Sequence, residues 1–208
     1  MTSGTTKCNQ AYEYLRKQLL YCQLPPNMRL AETQWAPKLN VHRPALREAM
    51  TLLAHEGLLR RGDKGGFFTI SLTLKQRRDI LTTRSIIEAG AIRLYNSNPP
   101  TPQQIEELSD ACNLLKLLIE AKLDISIQEA DRSFHEILVE LSGNASLIHL
   151  YERSPLPFEG PKQTDEYSMQ KRLKTLAEHQ RILELIRVGK YDDAADELIA
   201  HLAHACIE

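Results

Sequence analysis

Residues 58–70 constrain the fold more than any other stretch. They read Leu58-Leu59-Arg60-Arg61, then Gly62-Asp63-Lys64-Gly65-Gly66, then Phe67-Phe68-Thr69-Ile70. Apolar and aromatic runs on either side of a glycine-rich turn predict strand, turn, strand. From Leu74 onward the apolar residues recur at helical spacing with no further strand signal. A lone hairpin in an otherwise helical chain must therefore pack on helices.

Upstream of the hairpin, Tyr12, Leu15, Leu19 and Leu20 predict a helix over residues 9–22, stopped by Leu24-Pro25-Pro26-Asn27. A short helix follows over 30–39 with Trp35 inward, then a turn at Asn40-Val41-His42. A third helix spans about 43–56, with Leu46, Met50, Leu53 and Ala54 as its apolar stripe and Gly57 as its stop. Two short helices joined by a tight turn and followed by a hairpin predict a winged helix-turn-helix, the hairpin being the wing. The glycine-rich turn lacks the GxxxxGK[ST] pattern of a phosphate-cradling loop. Its basic tip, Lys64, suits a nucleic-acid backbone instead.

Beyond residue 73 the chain breaks into about six helices, over 75–97, 102–121, 124–142, 145–153, 166–188 and 191–206. Thr101 and Pro102 form an N-cap and first helical residue, and Ser142-Gly143-Asn144 ends one helix and caps the next. Residues 154–164, with three prolines, read as an irregular loop. The predicted fold is thus mostly α, with a winged helix-turn-helix over residues 1–72 and an all-helical bundle over 73–208.

Charge divides at the same place. Residues 1–72 carry ten Lys or Arg against five Asp or Glu, while the remainder carries 16 against 22. A cationic first segment before an acidic body predicts a polyanionic partner for the first segment only. No apolar run approaches the roughly 20 residues needed to cross a bilayer, and Met1 to Lys7 is too polar for a signal peptide, so a cytoplasmic protein with no membrane partner is expected. Cys8, Cys22, Cys112 and Cys206 form no CxxC pair and read as reduced thiols.

Asp131 and His135 lie four apart in a helix whose apolar stripe includes Ile127, Ala130, Phe134 and Leu138, so both face one edge of the core. His179 shares a face with Ile182, Leu183 and Ile186, and His201 with Ala194, Leu198 and Leu202. Three helices each aim a titratable group inward, and an unpaired buried polar group costs several kcal/mol. A divalent metal, zinc or nickel, would resolve that cost and leave coordination positions for a small carboxylate. Any one of these histidines taken alone is more ordinarily a core residue bonded to a neighbouring carbonyl. Arg84 and Glu88, one helical turn apart, form either a surface ion pair, the commoner arrangement, or a pair in a pocket.

The run Val41-His42-Arg43-Pro44-Ala45-Leu46-Arg47-Glu48-Ala49, then Glu56-Gly57-Leu58 and Gly65-Gly66-Phe67-Phe68, resembles the winged helix of GntR-family repressors. Asp131-Arg132-Ser133-Phe134-His135, Ser142-Gly143-Asn144, Glu178-His179 and His201 resemble the FCD effector domain of the FadR-like branch, in its shorter VanR-like form. The resemblance implies a homodimer on a palindromic double-stranded operator, with a metal and a carboxylate effector in each helical domain. It implies that Arg43 and Arg47 touch phosphates or guanine edges, and that Gly66 lets the wing lie close in the minor groove. It also implies Asp131, His135, His179 and His201 as metal ligands and Arg84 as an effector contact. The chain departs from the family pattern at His42, a weaker cap at the DNA-facing helix start, at Thr33, and at Pro37 inside the second helix.

Two functions follow as expectations. The first is a transcriptional repressor, not an enzyme, switched by a small carboxylate at the metal centre. The second is a metal-dependent enzyme acting on a small carboxylate, which is the weaker because no general base stands beside the ligands and the basic winged helix would have no role. A purely structural metal is the third reading.

Overall fold

The computed structural model describes residues 3–20, 23–153 and 166–204. These fall into two compact units, the first ending at Thr73 and the second beginning at Leu74.

The first unit contains α1 (Ser3–Leu20), β1 (Arg29–Leu30), α2 (Glu32–Lys38), α3 (Arg43–His55), β2 (Leu59–Arg61) and β3 (Phe67–Thr69). Ala11, Leu15 and Leu19 of α1 share a core with Leu46, Ala49, Met50 and Leu53 of α3, with Trp35 and Phe67 completing it. The strands form an antiparallel sheet in the order β1-β3-β2. Leu30 lies opposite Phe67, and Arg29 opposite Phe68. A two-stranded hairpin is marginal in water, so this third strand supports the wing. The expected helix over 30–39 is accordingly shorter, because Arg29 and Leu30 pair with β3 instead. Pro37 is the next-to-last residue of α2, which ends at Lys38. Asn40, at φ 53°, then turns the chain so that Val41 N–H reaches the Ala36 carbonyl at 3.0 Å. α1 starts earlier than periodicity predicted because Cys8 joins its buried face.

The second unit contains α4 (Leu74–Leu94), α5 (Pro102–Glu120), α6 (Asp124–Glu140), α7 (Ala145–Arg153), α8 (Glu166–Arg187) and α9 (Tyr191–His204). α4 packs on α9, α6 and α7, while α8 packs on α9 and α5. Ile92, Tyr95, Leu108, Phe134, Leu138, Ile182 and Leu198 fill the space between them. Thr101 forms a full capping box with Gln104 ahead of Pro102, and Asn144 Oδ1 accepts from Ser146 and Leu147 N–H at the start of α7. The loop expected over 154–164 lies outside the described residues. Nine helices and three short strands among the described residues make the protein mostly helical. None of these helices is long and apolar enough to cross a membrane.

Candidate metal centre and nucleic-acid interface

α6, α8 and α9 deliver His135, His179 and His201 to one point in the second unit. All three are buried, and one ring nitrogen from each lies within 4.8 Å of the others. His179 Nε2 is 3.3 Å from His201 Nε2, which is 3.4 Å from His135 Nε2. Asp131, one turn before His135, places Oδ1 3.6 Å from His179 Nε2 at the more open edge of the cluster. The four residues singled out by helical spacing thus converge.

The other side of each ring decides what the cluster can hold. His135 Nδ1 is 2.6 Å from Glu88 Oε2, and His201 Nδ1 is 2.7 Å from Glu178 Oε2. An ionised carboxylate only accepts, so each Nδ1 donates its proton, and a ring that carries no second proton turns an Nε2 lone pair toward the centre. Two lone pairs 3.4 Å apart repel unless a cation or a proton lies between them. Burial, then the neighbouring His201, His135 and Arg84, hold the His179 imidazole well below the usual histidine range, which disfavours a proton on the His179 Nε2 that lies 3.3 Å from His201 Nε2. A metal fits better. With metal–nitrogen bonds of about 2.0–2.1 Å, the edge of a tetrahedron is roughly 3.3–3.4 Å, and the His179–His201 and His201–His135 separations of 3.3 and 3.4 Å match it. Imidazole nitrogens backed by carboxylates are also the usual outer arrangement of such centres.

Phe134 stacks on His179 with ring centroids 4.0 Å apart and planes 10° apart, which fixes the ring's tilt. Among the described residues, the buried His179 Nδ1 has no hydrogen-bond partner, and no carboxylate backs it as Glu88 and Glu178 back the other two rings.

Arg84 and Glu88 are a buried pair, not a surface one, with residue exposures of 6% and 0%. The helical spacing was compatible with both arrangements, and packing of α6 and α7 over α4 selects the buried one. Glu88 Oε1 accepts from Arg84 Nε at 2.8 Å and from Tyr151 O–H at 2.9 Å. Burial alone would raise the Glu88 carboxyl, but Arg84 and His135 outweigh it and bring the group down to about 2. Arg84 is therefore adjacent to the histidine cluster through Glu88. Sequence reasoning placed Glu88 only in an ion pair with Arg84 and Phe134 only in the apolar stripe, and assigned no part in the site to Glu178 or Tyr151. The Arg84–Glu88 spacing was a partial signal, whereas Glu178 meets His201 only through tertiary folding.

In the first unit, α3 exposes Arg43 and Arg47, and its N-cap His42 is exposed and extended with no side-chain cap bond. Arg47 makes a bidentate pair with Glu32, at 2.8 Å for both Nε–Oε1 and Nη2–Oε2. Lys64 is exposed at the wing tip, while Gly65 and Gly66 take φ of 83° and 88°. A side chain is strained there, and a Cβ at Gly66 would lie 3.4 Å from Arg29 Nε. The sheet adds cations that the sequence reading overlooked: Arg60 lies over the Phe68 ring at 4.7 Å, and Arg29 pairs with the same residue from the other side.

A winged helix joined in one chain to a helical unit with a buried histidine cluster defines a class of DNA-binding regulator. Residues 7–69 match the family described as bacterial regulatory proteins, gntR family, and residues 79–204 match the FCD domain. The HTH-type transcriptional regulator YdhC of Bacillus subtilis is 31% identical over 204 residues, covering 95% of this chain and 88% of YdhC. The HTH-type transcriptional repressor RspR of Escherichia coli is 28% identical over 133 residues, covering 64% of this chain and 58% of RspR. Among solved structures, E. coli McbR/YncC superposes with a TM-score of 0.83 at 21% identity, covering 98% of this chain and 95% of that one, a likeness of fold. The chain belongs to the GntR family of transcriptional regulators and carries an FCD domain. It is a DNA-binding regulator, not an enzyme.

Proposed function

We propose that this regulator is a repressor, acting as a homodimer on a two-fold operator, whose DNA affinity is set by a small carboxylate bound at a divalent metal centre in the FCD domain. The convergence of the His135, His179 and His201 Nε2 atoms, two of them held in acceptor form by carboxylates behind, carries this reading. These three with Asp131 would hold the ion, zinc or nickel. Bound there, it would supply a positive centre with positions left over for a carboxylate oxygen. Arg84, buried beside Glu88, is charged and acts electrostatically on both His179 and Asp131, so it would attract the same carboxylate. Repression, as the sign of regulation, is supported by the likeness to the transcriptional repressor RspR of E. coli.

At the DNA end, Arg43, Arg47 and His42 at the start of α3 would enter the major groove, with Lys64 and Gly66 placing the wing on the adjoining backbone. The test is a thermal-shift panel of small carboxylates on zinc-loaded and chelator-treated protein, followed by anisotropy with duplex DNA from upstream of its own gene. A ligand at 100 times its Kd adds roughly 2.7 kcal/mol of stability. We expect that gain only with metal present, together with altered DNA affinity. Stabilisation that ignores both chelation and His179→Ala would contradict the proposal.

A further inference from the structure

We propose that the outer face of the three-stranded sheet is a second contact with duplex DNA, in which Arg29 and Arg60 grip backbone phosphates and Phe68 between them is a positioning residue. The inference rests on the reading of the first unit as a DNA-binding module. It goes beyond that reading by adding a surface that neither the start of α3 nor the tip of the wing supplies.

Strand register creates the surface. Arg29 lies opposite Phe68 on one side and Arg60 lies opposite it on the other, so the three form one row across the sheet. Leu30, Leu59, Phe67 and Thr69 are the buried positions beside them along the strands, and successive side chains of a strand point to opposite faces. Committing those four to the core therefore sends the row outward. Arg29 and Arg60 are exposed, and Phe68 is half-buried.

The row also leans toward the turn of the wing. A Cβ at Gly62 would fall 2.6 Å from Phe68 Cε2, so the ring lies against a turn that glycine alone leaves open. Arg29 Nε would be 3.4 Å from a Cβ at Gly66, and the Arg60 guanidinium sits 4.7 Å above the centre of the Phe68 ring. The two cations thus continue the strip that begins with exposed Lys64.

Electrostatics name the ligand. Arg47 is neutralised by Glu32 and Arg16 faces Glu56, whereas among the described residues neither Arg29 nor Arg60 has a carboxylate within ion-pair distance. Two unneutralised cations on one face repel each other, and a chain of phosphates relieves that repulsion. The ring restrains Arg60 before any ligand arrives, which lowers the cost of ordering a long side chain. A contact of this kind positions the duplex without reading its sequence.

The experiment measures fluorescence anisotropy of random-sequence duplex DNA against the full chain over a range of salt. Wild type is compared with Arg29→Gln, Arg60→Gln, the two combined, Phe68→Leu and Phe68→Tyr, each checked by circular dichroism melting. Lys116→Gln, at an exposed position of α5, is the control and should change nothing. Each arginine substitution should make the log–log salt slope shallower by about 0.9, and the combination by about 1.8, while base preferences in selected sites stay as in wild type. Phe68→Leu keeps both charges but loses the ring, so affinity should fall about 2- to 5-fold, whereas Phe68→Tyr should bind as wild type does. Arg29→Lys combined with Arg60→Lys retains the charges and should retain the slope, which separates a lost contact from a lost fold. A folded double glutamine variant with the wild-type slope would overturn the inference and leave the DNA-binding reading standing. A wild type that shows no salt-dependent binding to duplex would overturn that reading, and this inference with it.

Discussion

Substituting Glu88 by Gln keeps its volume and removes one charge from the interior of the FCD domain. In the native fold its two oxygens accept from Arg84 at 2.8 Å, Tyr151 at 2.9 Å and His135 at 2.6 Å. Glutamine offers one carbonyl oxygen and an amide that can only donate, so the amide must face Arg84 or turn one of the other two donors into an acceptor, and at His135 Nδ1 that change moves the ring proton to Nε2 and takes the lone pair from the centre. Arg84 then stays charged and buried without its counter-ion, because a guanidinium does not deprotonate in proteins. Breaking a buried pair in this way costs about 3–5 kcal/mol. At about 2–4 °C per kcal/mol for a chain of this size, chelator-treated Glu88→Gln protein should melt roughly 6–20 °C below wild type. The converse variant, Arg84→Met, should lose less, since Tyr151 and His135 both remain donors to the Glu88 carboxylate. Zinc affinity, read by competition with a chromophoric chelator, should fall about 10- to 100-fold in Glu88→Gln because the His135 ring loses the carboxylate that orients it. Equal melting temperatures and equal zinc affinity for Glu88→Gln and wild type would refute the reasoning.

Three further outcomes are expected. The folded-state pKa of His179 is depressed, by burial first, so the metal-free protein binds fewer protons at this site than the unfolded chain. Its stability contribution is then fully present above the unfolded value of about 6.5 and is lost as pH falls below it, by up to roughly 1.4 kcal/mol per pH unit. Urea unfolding of wild type against His179→Phe should show a smaller acid loss in the variant. Gly66→Ala, at φ 88° and with a Cβ 3.4 Å from Arg29 Nε, should destabilise the winged helix by about 1–2 kcal/mol in urea and weaken DNA binding. Thr101→Ala removes the cap that accepts from Gln104 N–H and should cost about 1 kcal/mol in the same assay without changing zinc affinity.

Periodicity located the helices and the inward face of each, because burial of an apolar stripe leaves its mark on sequence directly. That was enough to put Asp131, His135, His179 and His201 on core-facing positions and to expect them together. It could not reveal partners behind those residues. Glu178 and His201 are 23 residues apart in sequence, and only the antiparallel packing of α8 on α9 sets them 2.7 Å apart. Arg84 and Glu88 interrupt the apolar face of α4 with two charges, which is why the pair resembled a surface feature until α6 and α7 were seen to cover it. β1 was illegible for another reason. A two-residue strand has no period of its own, and its existence depends on the edge that β3 offers. The Glu32–Arg47 pair was hidden likewise, because it joins α2 to α3 across a turn whose geometry depends on Asn40.

Zinc binding to the full chain, titrated against a chromophoric chelator after removal of any bound metal, tests the central claim most directly. The account predicts about one equivalent per chain with lone-pair donors from three helices, abolished in His179→Ala and retained in His149→Ala, whose side chain is exposed on α7. Binding that is absent from wild type, or that survives loss of His179 unchanged, would contradict it.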